Sequence, residues 1–149
     1  MIVPDANLLI YAYDQGAADH AAAKTWWEGC LAGTEPVLLC HPVMFAFVRI
    51  ITSARMMKVP LSAADAVAAV RTWIQQPPVE LVLAETAHHQ EVFELLTLAG
   101  TAGNLTTDAQ IAAIALNRGA IVHTNDADFS KFSGLSWHNP LTGTSGYNP

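Results

Sequence analysis

The stretch that most limits the possible folds is Asn104 to Phe132, NLTTDAQIAAIALNRGAIVHTNDADFSKF. It reads as a helix, a short buried strand and an acidic loop. Thr107 and Gln110 match the S/T-x-x-E/Q capping box, which puts Thr107 at the N-cap and Asp108 at the first helical position. Ile111, Ile114 and Ala115 recur at helical spacing, and Asn117-Arg118-Gly119 is a C-terminal stop. Ala120 to Thr124 follows as a strand and runs into Asn125-Asp126-Ala127-Asp128. If that strand lies parallel to the chain's first strand, several carboxylates converge at one end of a sheet.

The rest of the chain supplies the frame. Met1 to Pro4 reads as a strand that delivers Asp5, and Leu8 to Tyr13 as a short helix broken near Gly16. Asp19 to Leu31 is a second helix, whose adjacent Trp26 and Trp27 point about 100° apart, so that one packs inward. Val37 to Cys40 is a strand. Pro42 opens a helix that runs to about Ala54. Ser62 and Asp65 match a cap for a helix that must end before Pro77-Pro78. Val79 to Leu83 is a strand, and Thr86 to Ala99 a helix that buries Val92, Phe93, Leu95 and Leu96. Leu135 to Trp137 reads as a last edge strand. From Pro140 the turn-rich LTGTSGYNP lacks apolar periodicity and reads as a loose tail. Short strands alternating with helices imply an α/β domain with a parallel sheet of four to five strands, helices on both faces, and sites at the strands' carboxyl ends.

The 149 residues fit one domain. No apolar run approaches the ~20 residues that span a bilayer, and no basic stretch precedes the apolar N-terminus, so a cytoplasmic location is expected. Cys30 and Cys40 form no Cys-x-x-Cys pattern and are expected to pack as small apolar side chains. The net charge of −6 lacks the basic footprint of a general nucleic-acid binder. An acidic enzyme can still act on a phosphodiester if divalent cations offset its carboxylates. Arg49, Arg55 and Lys58 are the one close group of positive charges, read either as a solvated helix end or as a guide for a nucleic-acid strand.

Clustered carboxylates without cysteine or histidine partners suit Mg²⁺ or Mn²⁺. Two such ions can clamp the attacking and leaving oxygens of a phosphodiester. Without metal the carboxylates repel, so the metal-free site should be partly protonated and the stability metal-dependent. Each acid also has a purely structural reading. Asp108 suits a helix N-terminus, Asp126 and Asp128 suit an Asx turn, and Asp5 suits an N-cap. Three such positions at one end of one sheet favour the site. His20, His41, His123 and His138 show no metal-ligand spacing, and His88-His89 falls in a first helical turn, at the surface.

The opening VPDANLLIY, the later TTDAQIAAIA and the GAIVHTNDADFSKF that follows resemble the PIN-domain nucleases, and among them the VapC toxins of type II toxin–antitoxin pairs. HPVMFAFVRIIT and GLSWHNPL resemble one branch of those toxins. The resemblance spans residues 1–141, leaving 142–149 as a flexible tail. It implies a PIN-like fold and a Mg²⁺- or Mn²⁺-dependent endoribonuclease. Asp5, Asp108 and Asp126 correspond to catalytic metal-binding carboxylates, Asp128 to a further member of the same loop, and Asn7 and Thr124 to supporting polar positions. Arg49, Arg55 and Lys58 are the candidate RNA-binding residues. The implied partners are RNA, a VapB-type antitoxin and a second copy in a homodimer.

One departure stands out. Many PIN toxins carry a glutamate in the helix after the second strand, where this chain has Phe47, and no acid occurs between Glu35 and Asp65. The site is then one carboxylate short of the family's set. The alternative is a PIN-fold module that engages antitoxin or RNA without efficient chemistry. A phosphoacceptor receiver domain fits less well, because Asp5 stands alone after the first strand and Asn125, not lysine, follows Thr124.

Overall fold

The computed structural model describes all 149 residues. Six strands form one sheet in the order β3-β2-β1-β4-β5-β6. They are β1 (Ile2–Pro4), β2 (Val37–Cys40), β3 (Val79–Val82), β4 (Ile121–His123), β5 (Ser136–Asn139) and β6 (Thr144–Tyr147). All pair in parallel except β6, which runs antiparallel to β5. The helices are α1 (Ala6–Tyr13), α2 (His20–Ala32), α3 (His41–Ile51), α4 (Ala63–Ile74), α5 (His88–Ala99) and α6 (Leu105–Arg118).

The chain winds outward from β1 to β2 to β3, then returns across the sheet to β4. Right-handed crossovers therefore place α1 to α4 on one face and α5 and α6 on the other. The packing of α1 with α2 and α3, and of α5 with α6, agrees with this. The strand order reverses between β1 and β4. That is the switch point at which loops leave in opposite directions and a crevice opens.

The core explains why short strands suffice. Val37, Leu38, Leu39 and Cys40 are all buried, as central parallel strands require. On the α1–α4 face Tyr13, Trp27, Phe47 and Trp73 meet edge to face, with ring centroids 4.7–5.6 Å apart. The Trp73 indole donates to the Tyr13 hydroxyl at 2.9 Å. Trp27 is the inward member of its pair; Trp26 is half-buried. On the other face α6 lays Ala109, Ala112, Ala113 and Ala115 between Ile111 and Ile114, all buried. Small side chains let this helix lie close to its neighbours. Gly119, at φ 59°, ends α6 in the left-handed conformation that glycine adopts without penalty, and turns the chain straight into β4.

Several expectations are corrected. Residues beyond Pro140 are not a loose tail: Thr144–Tyr147 form β6, so β5 is not the sheet edge. Phe93 is 64% exposed, because the inward stripe of α5 is Val92, Leu95 and Leu96 and Phe93 lies about 100° from it. The Thr107–Gln110 capping box does not form. Leu105 is buried in the core and starts α6 three residues earlier than expected, while Gln110 donates to the Thr106 carbonyl. By contrast, Ser62 caps α4 as its spacing implies, accepting from the Asp65 amide at 3.0 Å.

Candidate metal centre

Asp5 leaves β1 as the N-cap of α1, its carboxylate accepting from the Asn7 amide at 3.4 Å. β1 and β4 lie in register with Pro4 beside His123, so the next residues, Asp5 and Thr124, emerge as neighbours. The Asp5 amide donates to the His123 carbonyl at 2.9 Å. The buried Thr124 hydroxyl donates to Asp5 Oδ2 at 2.8 Å and accepts from the Asp126 amide at 2.8 Å. One hydroxyl thus ties the two strand ends together. Asp126 caps a 3₁₀ turn at Ala127–Lys131 through the Asp128 amide at 2.9 Å, and its other oxygen accepts from Asn7 Nδ2 at 3.5 Å.

Asp108 arrives from the opposite layer, in the first turn of α6. One carboxylate oxygen from each of Asp108, Asp126 and Asp128 lies within 4.8 Å of the others. Asp5 sits deeper, 3% exposed, and lines the same cleft. The N-cap and Asx-turn bonds are therefore present, but they use the same side chains that converge on the cleft. Asp128, expected as a secondary member, belongs to the tight group. It is also ion-paired with Lys131 at 2.7 Å. Lys131 was not singled out from the sequence, although the Asp128-x-x-Lys131 spacing on one turn was there to be read.

The electrostatics follow from this crowding. Burial pushes the Asp5 carboxyl up to about 6, aided by the Asp126 charge and opposed by the Thr124 and Asn7 hydrogen bonds. Burial and then the charges of Asp5, Asp126 and Asp128 push Asp108 up to about 7, with Lys131 opposing. All the crowded donors are hard oxygens, and Lys131, the one cation paired within the group, offsets only part of their mutual repulsion. Such a set fits a divalent cation such as Mg²⁺.

Across the cleft, α3 presents Ala46, Arg49 and Ile50. Phe47 does not face it: the ring is fully buried between Tyr13 and Trp73. Arg55 and Lys58 are exposed and lie outside the cleft lining, so the structure brings only Arg49 of the three to the acids. His123 also turns elsewhere. Its Nδ1 accepts from the Trp26 indole at 3.2 Å, and burial pushes the imidazole down to about 4, leaving it neutral.

Comparison with known proteins agrees with this architecture. The family model described as PIN domain matches residues 2–135. Ribonuclease VapC33 of Mycobacterium tuberculosis is 44% identical over 141 residues, covering 95% of this chain and 99% of that protein. Ribonuclease VapC37 of the same organism is 33% identical over 140 residues, covering 94% and 97%. Among solved structures, the M. tuberculosis toxin VapC20, described as cleaving the sarcin-ricin loop, superposes with a TM-score of 0.67 at 21% identity, covering 87% of this chain and 93% of that one. VapBC2 from Rickettsia felis, bound to a promoter DNA fragment, gives 0.66 at 17% identity, covering 93% and 98%. These last two likenesses speak to the fold.

Proposed function

The chain belongs to the PIN-domain family, and within it to the VapC-type ribonucleases, and on that premise we propose that it is a metal-dependent endoribonuclease acting as the toxin of a type II toxin–antitoxin pair. The observation that carries the reading is the convergence of Asp108, Asp126 and Asp128 within 4.8 Å beside the buried Asp5, at the sheet's switch point. Asp5, Asp108 and Asp126 are the catalytic carboxylates that hold Mg²⁺ or Mn²⁺, with Asp128 beside them. A divalent ion bound there supplies charge stabilisation at the phosphodiester oxygens and makes water a better nucleophile.

The chain's own residues fix the geometry. Thr124 holds Asp5 and the Asp126 loop in one arrangement, and Asn7 reaches from the first turn of α1 to Asp126. Lys131 limits the freedom of Asp128. Arg49 meets the RNA backbone inside the cleft, and the exposed Arg55 and Lys58 guide the strand toward it. A VapB-type antitoxin is the partner, as VapB accompanies VapC in similar solved complexes. A homodimer acting in the cytoplasm completes the reading; no helix is long and apolar enough to cross a membrane.

Purified protein free of antitoxin should cut pooled cellular RNA with Mg²⁺ or Mn²⁺ and not with chelator. Asp108→Asn and Asp5→Asn should abolish cutting while keeping a cooperative thermal transition. Folded wild-type protein that binds neither ion, or an Asp108→Asn variant that still cuts, would sink the proposal.

A further inference from the structure

On the endoribonuclease reading, we infer that Arg49 is the second cation of the site, binding the RNA phosphate where two-ion enzymes use a second metal. The helix that could have supplied another acid cannot do so. α3 spans His41–Ile51 and contains no Asp or Glu. Its cleft-facing residues are Ala46, Arg49 and Ile50, at i, i+3 and i+4. Phe47 projects into the aromatic core, so the position that stands in place of the family's glutamate does not reach the cleft. The only charged group that this wall of the cleft offers is a guanidinium.

Arg49 is also uncommitted. The chain's ion pairs are Met1–Glu35, Lys24–Glu28, Arg118–Glu80 and Lys131–Asp128. Arg49 is exposed, yet it lines a cleft with four carboxylates and pairs with none of them. An arginine placed there to neutralise the acids would be expected to bond one of them. One that stands across the gap keeps its donors for an anion entering between, and a planar guanidinium matches two phosphate oxygens at once.

The charges lead the same way. Asp128 is matched by Lys131. The remaining charges of Asp5, Asp108 and Asp126 are offset by one divalent ion together with Arg49. A second divalent ion would lack its own carboxylates and would lie against a fixed positive charge. Phosphoryl chemistry needs positive charge at the equatorial and leaving oxygens, and an arginine serves that need as well as a metal does.

Calorimetric titration of the metal-free full chain with MnCl₂ gives a readout independent of turnover. One ion should bind per chain in wild type and in Arg49→Gln. Arg49→Glu, which supplies the missing acid on the correct face of α3, should bind two. Two ions in wild type would overturn the inference, as would one ion in a folded Arg49→Glu. With pooled RNA and saturating Mn²⁺, Arg49→Gln should lose about 100-fold or more in kcat at an unchanged melting temperature. Arg49→Lys should recover part of the loss. If Arg49 only complements the C-terminal dipole of α3, Arg49→Gln will melt earlier and cut like wild type, and the inference fails. If wild type does not cut RNA at all, the endoribonuclease reading fails instead, and the metal stoichiometries alone decide whether Arg49 holds the place of a second ion.

Discussion

Asp5 and Asp108 are held in positions that favour their protonated forms, and that fixes a sign. A carboxyl raised from its unfolded value supports folding while protonated. That support is complete below about pH 4 and is lost as pH rises through about 6 for Asp5 and about 7 for Asp108. For the buried Asp5 the loss is on the order of 3 kcal/mol. In chelator, Asp108→Asn should therefore melt like wild type near pH 4 and above it at pH 8, because the amide removes a charge that its neighbours repel. A gap that does not widen with pH would mean that Asp108 is already paired. Phe47 makes the opposite point. Restoring an acid there, as the family's pattern invites, would place an unpaired charge between Tyr13 and Trp73. Phe47→Glu should destabilise by about 4 kcal/mol or more in denaturant titrations, without tighter Mn²⁺ binding. A stable Phe47→Glu chain with a gained metal ligand would show that α3 can rotate its face to the cleft.

At the scale of elements, the C-terminal hairpin fixes the turn that follows the acids. The Asn148 carboxamide donates to the carbonyls of Phe129 and Phe132 at 2.8 Å each and accepts from the Trp137 indole at 3.2 Å. Its backbone bonds Leu135 and Gly134. Gly146 lies under the Trp137 ring, where a Cβ would come within 2.5 Å of the indole. Asn148→Ala should lower unfolding stability by about 1–2 kcal/mol, since it leaves the Trp137 indole N–H without its partner and leaves the Phe129 and Phe132 carbonyls only their longer turn bonds to the amides of Phe132 and Leu135; a change below about 0.5 kcal/mol would restore the loose-tail reading. That reading failed for a physical reason. The segment Thr144–Tyr147 pairs through its backbone, with a glycine where a side chain would signal a strand, and its anchor is a lone amide at the end of the chain. The start of α6 misled for a related reason: a local capping motif lost to the burial of Leu105. What was legible was whatever recurs along the chain. Apolar runs marked β1, β2 and β4, and the acids after β1 and β4 could be assigned to one sheet end because parallel strands share a direction. That Arg49 rather than Arg55 or Lys58 enters the cleft was not legible, because helix phase relative to a distant loop is a tertiary fact.

For the whole molecule, the net charge of −6 sets how RNA can be held. Of seven Lys and Arg residues, Lys24, Arg118 and Lys131 are engaged by Glu28, Glu80 and Asp128. Arg71 lies on α4, away from the cleft lining. That leaves Arg49 in the cleft and Arg55 and Lys58 exposed near the end of α3. A single strand gathered by at most three cations releases few counterions. The logarithm of its binding constant should fall with the logarithm of salt at a slope no steeper than about −2. Binding should also depend on the divalent ion far more than on monovalent salt, because without it the strand meets an uncompensated acidic cluster. Fluorescence anisotropy of a labelled RNA with a non-cleaving Asp108→Asn chain and with wild type in Ca²⁺ measures both dependences. A slope of about −4 or steeper would mean more phosphate contacts than this chain's free cations can make. The extra positive charge would then have to come from a second copy or another bound protein, and RNA capture would belong to the assembly rather than to the single chain.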